Sequence, residues 1–308
     1  MTATDRPTGA DPAVTEAVET AAEAAARRED EVRTATDWVA IRTVMAKDLT
    51  AVKRSKAIMI PMIAVPLVLL IFLPLGIGLF ARSAPSEQVA SSIDRLRDIG
   101  PFATELFDPI LTLPERERLI VLILGYLLSP MLLVIPLMVS AVLAADAFAG
   151  EKERRTLEGL LHLPVADRDL FVAKVLGAFL PAIAITWGSA VIYAIMCNAI
   201  AWPVTGRPFL PFTQWTIMVL WVAPAVALLA LGLLVVVSSR AKTTQEANQL
   251  GGAVILPLIF LAAAQASTLL LAPPLAVVAV GVVVWLLAIG LVAVNARRFT
   301  RDRLASSS

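Results

Sequence analysis

The sequence predicts an all-α membrane protein with six transmembrane helices. The chain has 308 residues, is 58% hydrophobic and has a mean hydropathy of +0.80, which is more apolar than soluble proteins usually are. It contains five long runs without a charged residue, and these do not alternate apolar and polar residues as a membrane β-barrel would. The uncharged runs are 57–81, 119–145, 175–206, 208–239 and 247–296.

These runs divide into six spans because a bilayer core needs about 20 apolar residues per helix. The first four runs provide one span each, and the fifth is long enough for two, with a turn at Pro273-Pro274. Prolines within the spans are interpreted as tolerated kinks. The uncharged polar residues Asn198, Gln265 and Asn295 are interpreted as hydrogen-bonding groups between helices. Spans 1 to 6 are expected at about 57–81, 119–145, 171–199, 215–238, 251–272 and 274–296.

An amphipathic helix is expected before span 1, at residues 37–56. Apolar residues recur there at spacings of three and four, and basic residues cluster at the end next to the membrane. Such an elbow helix would lie along the inner membrane surface, with its tryptophan among the headgroups. Packing of the same stripe against the protein itself is the alternative. The residues assigned to the membrane surface are Trp38, Ile41, Met45, Lys53 and Arg54.

The ends of the chain frame a single membrane domain. Residues 1–36 are rich in Ala, Thr and Glu and are expected to form a disordered cytosolic tail. The six-span domain is expected over residues 37–303, and residues 304–308 form a short tail.

A charged segment, residues 146–174, separates spans 2 and 3. A short helix is predicted from Asp146 to His162, with acidic residues toward its N-terminal half and leucines toward its other end. Pro164 ends this helix, and Asp167 is expected to cap the next one. Surface ion pairs contribute only about 0.3–0.5 kcal/mol each, so this pattern favours recognition of a partner over stability.

The distribution of Lys and Arg predicts the orientation. With six spans both termini lie on one side, and that side is much richer in basic residues. It carries Arg42, Lys47, Lys53, Arg54, Lys56, Lys152, Arg154, Arg155, Arg168, Lys174, Arg240, Lys242, Arg297, Arg298, Arg301 and Arg303. The opposite side carries Arg82, Arg95, Arg97, Arg116, Arg118 and Arg207. We therefore expect a multi-pass protein of the cell membrane, with both termini and the charged segment in the cytosol.

The charged segment closely resembles the signature of ABC transporter permeases of the type-2 family. The resemblance lies in Glu151-Lys152-Glu153, Thr156-Leu157-Glu158, Leu160-Leu161, Pro164 and Lys174. The six spans, the elbow helix, the loop at residues 240–250 and the basic C-terminus are similar to that family too, so the resemblance covers residues 37–303.

The resemblance implies a function and a set of partners. The charged segment would contain a cytosolic coupling helix that docks on a separate ABC ATPase, and two permeases, as a homodimer or a heterodimer, would work with two ATPases. ATP and Mg would be bound by the ATPase, and the permease would form the substrate path of an exporter. The residues assigned to coupling are Glu151, Lys152, Glu153, Arg154, Thr156, Leu157, Glu158 and Leu161.

The residues themselves argue against other classes. The chain has no G-x-x-x-x-G-K-[ST] loop, so we expect no ATPase site and no enzyme. One cysteine, Cys197, and one histidine, His162, favour neither a metal site nor catalysis, and a net charge of +1 does not predict a nucleic acid partner. Two other functions stay open as alternatives. A secondary transporter is the main one, although such carriers usually place ionisable residues within their spans. A non-catalytic membrane anchor or assembly subunit is the other. No residue is assigned to substrate binding.

Overall fold

The structure is a computed structural model that describes residues 38–83, 110–147, 166–238 and 243–298. Within these ranges the chain is helical and contains no strand, which confirms the predicted all-α class. The helices are α1 (Trp38–Arg54), α2 (Lys56–Leu67), α3 (Leu73–Ser83), α4 (Glu115–Val121), α5 (Val134–Ala145), α6 (Asp167–Thr205), α7 (Thr213–Ile217), α8 (Ala223–Ser238), α9 (Thr244–Leu271) and α10 (Pro274–Arg298).

Four helical stretches among the described residues are long and apolar enough to cross a membrane. They are Glu117–Ala145, Asp167–Thr205, Thr213–Ser238 and Pro274–Arg297, and they correspond to predicted spans 2, 3, 4 and 6. A shorter apolar helix, Leu70–Phe80, lies within predicted span 1, and predicted span 5 lies within α9. The structure therefore shows a multi-pass membrane protein, while the total of six spans stays a prediction.

Wide π-helical turns accommodate prolines in three places. Proline lacks an N–H, and its ring clashes with the carbonyl four residues earlier in a regular helix. For Pro74, Pro130 and Pro224, the residue four positions earlier lies within a wide turn. A wide turn contains one more residue than a regular helical turn, and this moves the carbonyl away from the proline ring. The prolines are thus absorbed within continuous helical stretches, in agreement with tolerated kinks. The wide turns are Val68–Phe72, Leu122–Leu127 and Met218–Val222.

Span 2 lies at the centre of the described helices and span 6 at their edge. In span 2, 72% of the most apolar stretch of the helix is buried inside the protein, whereas in span 6 the buried share is 17%. Span 2 packs against spans 3 and 4 and against α9, whereas span 6 packs mainly against span 4. Apolar surface faces lipid without cost, so the exposed face of span 6 suits a membrane protein.

The caps of span 3 and α9 and the turn after α9 can be compared with the sequence predictions. Asp167 was expected to cap span 3, but it is the first helical residue, and extended Ala166 stands at the cap without a capping side chain. The Asp167 carboxylate still lies in the first turn, where the helix dipole favours an acid. At α9, the Thr243 hydroxyl accepts a hydrogen bond from the Glu246 amide at 3.1 Å. The predicted turn at Pro273-Pro274 is confirmed, since α9 ends at Leu271 and α10 begins at Pro274.

Two of the polar residues in the spans bind backbone groups. Asn295 donates to the Gly232 carbonyl at 2.7 Å and joins spans 6 and 4, as expected for a group between helices. Asn198 accepts from the Phe209 and Leu210 amides at 3.0 and 3.1 Å and donates to the Leu210 carbonyl at 2.7 Å. Asn198 therefore fastens the connection between spans 3 and 4 onto the end of span 3.

Candidate coupling site

The residues assigned to coupling lie outside the described residues. All of them fall within residues 148–165, which we call the coupling loop, so their docking role stays a prediction. The structure describes the two ends of this loop. Ala147 follows the end of span 2, and Ala166 precedes the start of span 3. The residues concerned are Glu151, Lys152, Glu153, Arg154, Thr156, Leu157, Glu158 and Leu161.

A buried lysine joins the two ends of the coupling loop. Lys174 lies near the N-terminal end of span 3, in a stretch (residues 167–178) that we call the base of span 3, and its side chain is only 2% exposed. Its Nζ donates a hydrogen bond to the Ala147 carbonyl at 2.9 Å. A cation at the C-terminal end of a helix interacts favourably with the helix dipole, and a charge-assisted hydrogen bond offsets part of the cost of burial. Span 2 is therefore tied to the base of span 3 at the point where the loop leaves it.

A pocket of about 140 Å³, lined by apolar residues and by four charged side chains, lies beside this contact. Three elements supply its charged lining: α1 with Lys47 and Asp48, span 2 with Asp146, and span 3 with Lys174. Asp146 is nearly buried, like Lys174. The Asp48 Oδ1 lies 3.6 Å from Lys47 Nζ, whereas its buried Oδ2 accepts no hydrogen bond from the described residues. Acidic and basic groups from three helices thus meet at the root of the coupling loop.

Helix α1 packs across the base of span 3. Buried Ile41 and Val44 form an apolar cluster with Leu170 and Ala173 of span 3. Gly177 also faces α1, and a Cβ atom at this position would lie in ordinary van der Waals contact with Asp48 Cβ, at 3.7 Å. This face of α1 is therefore packed against the protein.

The residues assigned to the membrane surface separate into two groups. Ile41 is 1% exposed and packs on span 3, as the alternative interpretation of the stripe expects, and Met45 is partly buried near Gly177. Trp38 is 60% exposed, and Lys53 and Arg54 are exposed at the other end of α1. Their position at the membrane surface stays a prediction.

Sequence reasoning missed the contacts that hold the base together. Val44 lies beside the predicted stripe and is buried, and the role of Asp48 was not foreseen. Lys174 was recognised in the signature, but its bond to Ala147 joins residues from two different spans. The signals available in the sequence were a lone acid on the apolar side of α1 and a lysine at the edge of an uncharged run.

The fold and the site together define a class of protein. It is a multi-pass helical membrane protein in which a charged loop joins two adjacent, tightly connected spans. Within the described ranges, no three or more His, Cys, Asp or Glu side chains gather as a metal site.

Comparison with known families identifies the chain further. The family described as "ABC-2 family transporter protein" matches residues 12–280. The chain therefore belongs to the ABC-2 transporter family, whose members are transmembrane permease subunits that generally work with a cytosolic ATPase. The match begins within the predicted N-terminal tail and ends within α10. Comparisons with curated proteins and with solved structures gave no match.

Proposed function

We propose that this chain is the permease subunit of an ATP-driven exporter. In this proposal six spans form part of the substrate path, with both termini in the cytosol. The coupling loop docks on a separate cytosolic ATPase that binds ATP and Mg, and a second permease copy completes the path. Family membership supports the general class, and the charged segment supports the mode of coupling.

The observation that carries this proposal is the arrangement around the coupling loop. A patterned charged loop leaves the central span 2 and returns to span 3, and its two ends are tied together by the Lys174 side chain. A loop anchored in this way transmits force from a partner better than a flexible connector does, because both of its ends belong to one packed unit. The glutamates of the coupling loop suit recognition of a basic or polar cleft.

The distribution of charge disfavours a secondary transporter. The uncharged runs that form the spans hold no ionisable relay through the membrane. Buried Asp146, Asp169 and Lys174 all lie at the ends of spans 2 and 3 that border the coupling loop. A membrane anchor or assembly subunit would not need a charged loop tied between two spans.

Reversal of charge in the coupling loop tests the proposal. We expect Glu151→Lys combined with Glu153→Lys to weaken binding of the ATPase by at least about tenfold, because each acid would be replaced by a repelling base. The measurement is co-purification of the ATPase with the full-length permease from membranes, followed by titration of the purified ATPase onto permease in nanodiscs.

The matched control changes charge equally on the opposite side of the membrane. Glu87→Lys combined with Asp94→Lys, in the predicted external connection between spans 1 and 2, should leave ATPase binding unchanged. Equal binding of the wild type and the Glu151/Glu153 variant would exclude this loop as the coupling element. A permease that binds no nucleotide-hydrolysing subunit but transports with an ion gradient would instead establish the secondary transporter.

A further inference from the structure

We infer that Lys174 is a positioning residue that transmits movement of the coupling loop to span 3 and to α1. This inference rests on the proposed function, since it assigns the path by which force leaves the same loop. It concerns a contact within the chain rather than the docking surface of the loop. Its starting observation is the hydrogen bond from Lys174 Nζ to the Ala147 carbonyl at 2.9 Å.

The hydrogen bond closes the coupling loop at its root. Ala147 is the last described residue before the loop, and Ala166 is the first one after it. The polypeptide joins Ala166 to the base of span 3 directly, while Lys174 joins Ala147 to the same base. Both ends of the loop are therefore attached to the base of span 3. A force applied to the loop displaces this helical segment, because neither end of the loop can move independently of it.

The burial of Lys174 indicates that this contact has a specific role. A lysine at the end of a span usually extends its ammonium group into water, where it needs no protein partner. Lys174 is instead 2% exposed and directs its ammonium toward the backbone at the end of span 2. A topology signal requires only the charge, whereas this geometry fixes the position of a backbone carbonyl.

Helix α1 extends the unit that moves. Ile41 and Val44 pack on Leu170 and Ala173, which precede Lys174 in span 3. Other residues of α1 contact Gly177, which follows Lys174, so α1 touches span 3 on both sides of this lysine. Asp48 lines the same pocket as Lys174. Close-packed interiors transmit displacement with little compression. Movement of the base of span 3 is therefore passed to α1.

Two variants distinguish positioning from simple stabilisation. Lys174→Met keeps an apolar stem of similar length and removes the donor, whereas Lys174→Arg keeps a cationic donor. Insertion of Gly-Gly-Ser after Ala147 leaves the Lys174 bond in place and changes no buried side chain, but it lengthens the connection between Ala147 and the coupling loop. In the complex with the ATPase it therefore tests the inference even if Lys174→Met fails to fold. Lys53→Met, on the exposed end of α1, is the control for loss of a positive charge.

The first measurement is made on the full-length permease in nanodiscs without any ATPase. Spin labels at Thr50→Cys on the exposed face of α1 and at Ala149→Cys report the distance between α1 and the root of the loop. We expect a narrow distance distribution in the otherwise wild-type chain, in Lys174→Arg and in Lys53→Met. We expect a broad one in Lys174→Met. A distribution equally narrow in all four proteins would overturn the inference.

The second measurement follows coupling in the complex with the ATPase. The readout is the ATP-dependent change in maleimide labelling of Pro208→Cys, an exposed position between spans 3 and 4, beside the rate of ATP hydrolysis. Lys174→Met and the insertion should retain hydrolysis and lose the labelling change. For Lys174→Met the loss is about tenfold, as expected when a charge-assisted hydrogen bond is lost from the coupled equilibrium. Full retention of the labelling change in either variant contradicts the inference, whereas failure of the wild-type chain to bind an ATPase contradicts the proposed function alone.

Discussion

At the scale of single residues, Tyr193 shows how a polar group is accommodated within the membrane-spanning bundle. Its side chain is fully buried in span 3, and its hydroxyl donates to the Leu124 carbonyl in the wide turn of span 2. The Ser129 hydroxyl donates to the same carbonyl at 3.1 Å. Such side-chain donors satisfy a backbone group that the irregular turn displaces from regular helical geometry. Tyr193 and Ser129 thus support a turn that Pro130 requires.

Replacement of Tyr193 tests this account. We expect Tyr193→Phe to lower the free energy of unfolding by about 1 kcal/mol, because the ring is kept and only the hydrogen bond to Leu124 is lost. Tyr126→Phe is the control, since Tyr126 stacks on Phe212 with ring centroids 4.9 Å apart and keeps that contact as phenylalanine. The measurement is reversible unfolding in mixed detergent micelles. Equal stability of Tyr193→Phe and the wild type would show that the hydrogen bond does not support the turn.

Sequence reasoning reached some residues and not others for a physical reason. The roles of Asn295 and Pro273-Pro274 follow from local composition, and the structure confirms them. The partners of Tyr193 and Lys174, and the pocket that Asp48 lines, depend on how helices far apart in the chain pack together. Hydropathy reports how long a span is but not which side chain of the neighbouring span it meets.

At the scale of elements, spans 4 and 6 are joined by a tight aromatic contact. The Trp221 indole N–H donates to the Val278 carbonyl at 3.3 Å, and the Trp285 N–H donates to the Trp221 carbonyl at 3.1 Å. Gly281 leaves space for the Trp221 ring, since a Cβ atom there would lie well inside contact distance of the indole atoms Cδ1 and Nε1. The close approach of these two spans therefore depends on the absence of a side chain at residue 281.

Two glycines of the same helix provide a matched pair of predictions. We expect Gly281→Ala to lower the free energy of unfolding by about 1–3 kcal/mol, because the rigid indole cannot yield without shifting the two helices. Gly290→Ala should be neutral or slightly stabilising, because a Cβ atom there meets nothing within 4 Å and alanine favours the helix. Thermal unfolding of both variants in the same detergent compares them directly. Equal effects at the two positions would contradict the described packing of span 6 on span 4.

The spans themselves were predicted more fully than the contacts between them. Uncharged runs located spans 2, 3, 4 and 6, although span 3 continues beyond its predicted end, to Thr205. The reason is that Thr205 and its neighbours are uncharged, so hydropathy alone does not mark where the helix leaves the membrane. Helix α1 was also expected, but its division between a face on span 3 and an exposed Trp38 depends on tertiary packing.

At the scale of the whole molecule, the described helices form one packed unit around span 2. Spans 3 and 4 and α9 surround it, and the base of span 3 connects it to α1. Any force that reaches the coupling loop therefore acts on the centre of the bundle and on its surface helix together. In the proposed function, a cytosolic partner bound to this loop would therefore act on both.

The central claim is that the coupling loop faces the cytosol and is bound by an ATPase. The native chain provides a favourable background for a labelling test, because its single cysteine, Cys197, is fully buried. Leu160→Cys places a reactive thiol in the coupling loop, and Pro208→Cys places one at the opposite end of span 3. A membrane-impermeant maleimide then reports which side of the membrane each thiol faces.

The most direct measurement is the rate of maleimide labelling at Leu160→Cys in sealed vesicles of both orientations, with and without the bound ATPase. We predict labelling only where the cytosolic face is open to the reagent, and slower labelling when the ATPase is bound. Pro208→Cys should be labelled only from the other side, at a rate that the ATPase does not reduce. Labelling of Leu160→Cys from the external face, or a rate unaffected by the ATPase, would contradict the account.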